Sequence, residues 1–225
     1  MHEGRPYELW LPTDDNTAPW PAIVILHGAG SRKENHSDFA RAASGYGWAA
    51  LAFDQRGHGA SEDEMAPAAI ADVTRMARLL AGIDGVDASR LCVRGSSMGG
   101  FLAIHAAATS DTIAGAIAIC PSGEADLLRG VRRGELEMRV DERALEAWLG
   151  EHDLRDAVAL MADKPLLLIH ARGDESIPYT WSEELYEHAA EPRKLIVMPG
   201  GHHRSVQHDA ELHGVALRWL ERALG

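Results

Sequence analysis

The sequence predicts an α/β fold: a mostly parallel sheet with helices against both faces. Short apolar runs alternate with longer amphipathic ones along 225 residues, which is the rhythm of strand–helix repetition. The central runs are continuously apolar, as strands buried on both faces require. A third observation is local. The apolar stretch 91–93 leads into Gly95-Ser96-Ser97-Met98-Gly99 and then at once into the helix-like stretch 101–108.

The elements follow in order. Residues 7–12, closed by Pro12, read as an edge strand, and 22–26 as a central one. A short helix over 39–46 precedes a strand at 48–53. Ile70, Val73, Met76, Ala77 and Leu80 recur at three- and four-residue spacing, which predicts a helix over 68–81. Strands are expected at 90–94, 113–119, 165–170 and 194–198, and helices at 97–108, 181–190 and 208–223. The charged, helix-prone stretch from about 121 to 163 breaks the rhythm. It reads as a small helical cap inserted in a single domain spanning 1–225.

Composition narrows the function. Hydrophobic residues make up 46% of the chain, enough for a large core. The formal net charge of −12 argues against nucleic acid and anionic membrane surfaces as partners. Cys92 and Cys120 lie in apolar runs and are too few for a disulfide framework. No secretion signal or membrane-spanning run is visible, so a cytoplasmic location is expected.

Ligands of open parallel sheets bind beyond the carboxyl ends of the strands, so the polar residues just after the strands are the candidates for chemistry. Ser97, at a strand–turn–helix junction flanked by glycines, fits a nucleophile elbow. His27-Gly28-Ala29-Gly30 brings backbone N–H groups to the same end. Ala29 and Met98 are the expected oxyanion-hole donors. Asp54-Gln55-Arg56-Gly57-His58-Gly59-Ala60-Ser61 reads as a supporting loop, with Asp54 and Arg56 as its ties. In the turn after 165–170, Asp174 is the expected orienting acid, with Glu175, Glu124 and Asp126 as competitors. The loop after 194–198 offers two adjacent histidines, His202 and His203, of which one can be the base. A metal is the rival use of His202, His203, His208 and Asp209. No zinc-type spacing is present, so no metal and no cofactor are expected.

These features resemble the α/β-hydrolase superfamily over nearly the whole chain, in its order of serine, acid and histidine. The chain is most similar to small esterase, dienelactone-hydrolase-like and serine-aminopeptidase-like members. His170-Ala171-Arg172-Gly173-Asp174-Glu175-Ser176-Ile177-Pro178 resembles their acid motif, with alanine in place of the usual glycine. Gly200-Gly201-His202-His203-Arg204 resembles their base motif and favours His203. Dienelactone hydrolases proper use cysteine where Ser97 stands. The resemblance implies a serine hydrolase acting on an ester or related acyl compound through Ser97, His203 and Asp174. A peptidase, an amidase or a thioesterase on the same residues is the alternative, and a non-catalytic binding module is the alternative of another class. The expected partner is a small acyl substrate, bound by a monomer or homodimer. An anionic substrate would call on Arg56, Arg94 or Arg204.

Overall fold

The computed structural model describes residues 1–13 and 18–225. Seven strands form one sheet in the order β1-β3-β2-β4-β5-β6-β7. They are β1 (Tyr7–Trp10), β2 (Trp20–Leu26), β3 (Ala49–Phe53), β4 (Val86–Ser96), β5 (Gly115–Ile119), β6 (Leu166–Ala171) and β7 (Arg193–Met198). β1 runs antiparallel to β3, and every other neighbouring pair is parallel. All residues of β2, β3, β5 and β6 are buried, which explains why their sequences show no polar alternation. The chain has the α/β-hydrolase fold.

Eight helices occur among the described residues: α1 (Ser37–Gly45), α2 (Ala69–Ala81), α3 (Met98–Thr109), α4 (Glu124–Arg132), α5 (Glu142–Leu149), α6 (Leu154–Leu160), α7 (Thr180–His188) and α8 (Ala210–Leu224). On one face of the sheet, α2 to α7 close a core around Val73, Met76, Leu80, Phe101 and Leu102. On the other, α1 and α8 pack Phe39, Trp48, Leu217 and Leu220 against Ile23, Ile25 and Ile117. The helix α3 is buried almost throughout, so its sequence carries no amphipathic stripe. The 121–163 stretch holds three helices between β5 and β6. Asp141 and Asp153 cap α5 and α6 by accepting backbone N–H bonds.

Most boundaries shift by one or two residues from expectation, and two differences are more consequential. The strand expected at 90–94 spans Val86–Ser96, because the polar residues that hide its start lie where the strand projects beyond the core. Cys120 lies just past β5, at φ +43°, rather than within a strand.

The topology sets the place of the site. From β2 the chain turns to β3 on one side, and β4 then pairs on the other. The crevice between the ends of β2 and β4 is therefore a switch point of the sheet, where ligands collect. Leu26 lies beside Gly95 in that pair, so the loops after both strands emerge together. At the far side, Ala171 of β6 pairs with Met198 of β7, which brings their loops side by side.

Candidate active site

Ser97 stands between β4 and α3 with φ +54° and ψ −119°, a backbone state that costs roughly 1–3 kcal/mol and persists only when its surroundings enforce it. They do so by hydrogen bonds and close packing. Ser97 N–H donates to Ile119 C=O (2.9 Å), and Ser97 C=O accepts from Gly100 and Phe101. A Cβ on Gly95 would collide with the Gly99 carbonyl, and one on Gly99 with the Leu26 carbonyl. The elbow's glycines therefore answer to backbone contacts within the turn and with β2. The Met98 N–H lies in the first turn of α3, where helices lack internal acceptors, while the Met98 side chain is buried. Gly28 packs against Ser97, and Ala29 lines the cavity that Ser97 opens into.

His27 holds that loop in place. Its Nε2 accepts from Gln55 N–H (3.1 Å), its Nδ1–H donates to Gly28 C=O (2.8 Å), and Gln55 Nε2 donates to His27 C=O (2.6 Å). Burial, with His58 nearby, pushes the imidazole down to about 4, so it stays neutral. Asp54 ties the neighbouring loop by accepting from the N–H groups of Lys33 and Ala60 and pairing with Lys33 Nζ (3.1 Å). Arg56 pairs with Asp72 (2.6 Å) and Asp63 (3.3 Å). The loop thus has the supporting role its sequence suggests.

Asp174 and His203 meet, although 29 residues separate them, with His203 Nδ1 2.7 Å from Asp174 Oδ2. A Cβ on Gly173 would run into the Gly201 carbonyl, so the two loops can close this far only over glycine. Asp174 Oδ1 accepts from the N–H groups of Ser176 and Ile177, both at 2.9 Å. His170 Nε2 lies 3.3 Å from the same Oδ2 that His203 reaches. Burial opposes ionisation of Asp174, but the hydrogen bonds from His170, His203 and Ile177 outweigh it and hold the carboxyl far below the usual range.

The competitors lie elsewhere. Glu175 is exposed and accepts from the His203 backbone N–H (3.3 Å), not from its ring. Asp126 receives the Gly123 N–H and pairs with Arg129, and Glu124 faces His105 at 4.0 Å. His202 is turned into its own loop, its N–H on Ser205 Oγ (2.9 Å) and its Nδ1 facing Arg204 N–H (3.4 Å). Of the two histidines, it is His203 whose ring pairs with Asp174.

Ser97, His203 and Ala29 line one cavity of about 670 Å³. The loop between α4 and α5 and the face of α4 wall it with Arg129, Arg133, Glu135 and Leu136. Ser97 Oγ hydrogen-bonds Ser122 Oγ at 3.0 Å. Ser122 follows β5 by three residues and carries no sequence signal beyond that of any loop serine. His170 stands in the acid motif quoted above, but its sequence position does not reveal that its ring faces Asp174. Cys120, His170 and Asp174 each bring a possible metal-ligating atom within 4.8 Å of the others. His170 Nε2 already faces Asp174 Oδ2 and Ile177 C=O (3.1 Å), and burial raises the Cys120 thiol far above its normal range. These atoms therefore do not present an open ligand set. Of the three arginines considered for an anionic substrate, Arg204 lines the cavity, Arg56 is held by carboxylates, and Arg94 is fully buried.

A strained serine at a sheet switch point, with an Asp–His pair formed between the loops after β6 and β7, is the arrangement of α/β hydrolases. Residues 17–150 match the model of the serine aminopeptidase S33 family, and the chain belongs to that family. Uncharacterized protein YfhR of Escherichia coli O157:H7 is 28% identical over 200 residues, spanning 85% of this chain and 65% of the relative. An uncharacterized protein of Mycobacterium tuberculosis is 28% identical over 184 residues, spanning 81% and 63%. The chain thus spans less than two thirds of these relatives' length. Among solved structures, Est1E from Butyrivibrio proteoclasticus with bound ferulic acid superposes with TM-score 0.77 at 22% identity, over 97% of this chain and 96% of that one. Acetyl xylan esterase 1 from Thermoanaerobacterium superposes with TM-score 0.75 at 16% identity, over 97% and 79%. At these identities the likeness shows the shared fold. No helix among the described residues is long and apolar enough to cross a membrane.

Proposed function

We propose that this hydrolase cleaves an ester or related acyl bond with Ser97 as nucleophile. The 2.7 Å pairing of His203 with Asp174, in a loop lining the cavity that Ser97 opens into, is the observation that carries this reading. Asp174, kept ionised, accepts His203 Nδ1–H, so Nε2 is the nitrogen free to take a proton. Ser97 Oγ attacks the acyl carbon while His203 Nε2 takes the hydroxyl proton. The charge formed on the carbonyl oxygen is met by the N–H groups of Ala29 and Met98. Collapse of the intermediate expels the alcohol, which leaves with the proton from His203. Water, deprotonated by His203, then hydrolyses the acyl-enzyme and restores Ser97. This sequence of steps calls for no cofactor. The residues 121–163 act as a small cap over the cavity, within one domain.

The cavity wall is mostly polar, with Leu127, Leu136 and Ile177 among its few large apolar members. That lining supports a short or polar substrate over a long alkyl chain, because a chain gains little without apolar surface to bury. The experiment is hydrolysis of p-nitrophenyl acetate and labelling by a fluorophosphonate. Wild type turns over and labels, and Ser97→Ala does neither. Full labelling of Ser97→Ala would overturn the assignment. The S33 family also supports a second reading, an aminopeptidase, and aminoacyl amides tested beside the ester and a thioester separate the two.

A further inference from the structure

Arg94 is the residue just before Gly95 of the elbow, and its side chain is 0% exposed. A buried guanidinium is expensive to desolvate unless it is paired. Among the described residues it makes no ion pair with a carboxylate. Its Nη2 donates to Gln207 C=O at 2.7 Å, its Nη1 to His36 Nδ1 at 3.0 Å, and its Cζ lies 4.5 Å from the centre of the Phe39 ring. Its Nε has no partner among the described residues. The nearby carboxylate of Asp38 is engaged by His208 Nδ1 at 2.8 Å. Burial pushes the guanidinium down to about 10, which leaves it charged at neutral pH.

The acceptor is what gives this arrangement its meaning. Gln207 follows His203 by four residues, in the 3₁₀ turn Val206–His208, and it lines the same cavity. Its carbonyl is held from the other side by His213 Nε2–H of α8 at 2.9 Å. His36, accepting from Arg94 at Nδ1, is fixed as the neutral Nε2–H tautomer. Phe39 and His213 pack with their rings perpendicular and their centroids 5.1 Å apart. Arg94 therefore runs as a strut from the strand that carries Ser97 to the loop that carries His203. Apolar packing could fill this space without a buried charge.

We propose that Arg94 is a positioning residue that fixes the base-bearing loop relative to the nucleophile strand. The catalytic part of this inference rests on the reading of Ser97 and His203 given above, whereas the anchoring part does not.

The test compares Arg94→Met and Arg94→Lys with wild type. Methionine fills the space and removes the cost of burying an unpaired charge, while Gln207 C=O keeps its bond from His213 Nε2–H. Arg94→Met is expected to keep its melting temperature while kcat on p-nitrophenyl acetate falls about ten- to a hundredfold, the scale of an ångström-sized misplacement. KM is expected to change less than about twofold, as the substrate-lining groups remain. Hydrogen exchange should accelerate in 202–208 and not in the central strands. Arg94→Lys, which keeps one donor, should lie between. Folded Arg94→Met with unchanged kcat, exchange that rises across the whole sheet, or failure of both variants to fold would each overturn the proposal. If wild type fails to label with a fluorophosphonate, the hydrolase reading fails instead, and the exchange comparison still decides the anchor.

Discussion

Asp174 Oδ2 lies within reach of two imidazoles at once, 2.7 Å from His203 Nδ1 and 3.3 Å from His170 Nε2. The two rings face opposite environments. His203 borders the cavity, while His170 is wholly buried and held by Ser182 Oγ at Nδ1 (2.7 Å) and Ile177 C=O at Nε2 (3.1 Å). The carboxylate is thus oriented from the core as well as by its own turn.

This shared oxygen predicts a pH effect on stability. His170→Phe removes one of the hydrogen bonds that hold the Asp174 carboxyl low, so that carboxyl rises toward its ordinary range and the stability it loses on acidification shrinks. His170→Gln, which can restore a donor, should recover part of that loss. Urea midpoints that fall equally at all pH values in both variants would assign His170 to packing alone.

The neighbouring histidines should behave very differently. His203→Ala is expected to lose about 10⁴-fold or more in kcat, as removal of a catalytic base does in related chemistry. His202→Ala, whose ring serves its own loop, should stay within about threefold of wild type. Asp174→Asn should lose about 10⁴-fold through the wrong imidazole tautomer, whereas Glu175→Gln should not. Steady-state kinetics on one chromogenic ester measures all four.

Gly95 tests the elbow as a structure. A methyl group there meets the Gly99 carbonyl inside a turn that cannot open without moving α3. Gly95→Ala should therefore lower the urea midpoint clearly, by the equivalent of about 1–3 kcal/mol or more. A midpoint equal to wild type would show that the turn relaxes without strain.

Stability should fall on mild acidification. His27 goes from an ordinary value of 6.5 to about 4 on folding, first because of burial and then because of His58. Between those values the unfolded chain binds more protons, so stability is lost as pH drops from about 6.5 towards 4. The loss from His27 reaches about 3 kcal/mol at most. His36, held well below 6.5 by burial and Arg94, adds in the same direction. Asp174 contributes in a lower window, because its depressed carboxyl stabilises the fold above the usual carboxylate range and loses that effect as pH falls below it. Urea midpoints at pH 7, 5.5 and 4.5 follow the sum. His27→Gln should flatten the first part of the slope, and an unchanged slope would contradict the neutral, bonded state of His27.

Much of this arrangement was legible because strands, turns and elbows are local events. The apolar runs located the seven strands to within a few residues, apart from the polar beginning of β4. Gly95, Ser97 and Gly99 marked a sharp turn because backbone packing there leaves no room for a Cβ. The end-of-strand rule places Ala29, Asp174 and His203 at the carboxyl end of the sheet. Arg94 shows where such reading stops. In sequence it is a cation available to an anionic substrate, and in the structure it is sealed beneath the loop that substrate would meet.

By itself the sequence determined the α/β architecture, the elbow at Ser97 and the short set of polar residues that follow the strands. These depend on hydrophobic period, glycine placement and turn chemistry, all of which act between near neighbours along the chain. Only the tertiary structure decided which histidine faces Asp174, that His170 shares its oxygen, that Ser122 meets Ser97, and that Arg94 reaches Gln207. Apart from His170 and Asp174, which are four residues apart, those are directions of side chains across 25 to 113 residues of separation. They are set by the register of β6 on β7 and of β2 on β4, and by which face of each strand the packed helices leave open.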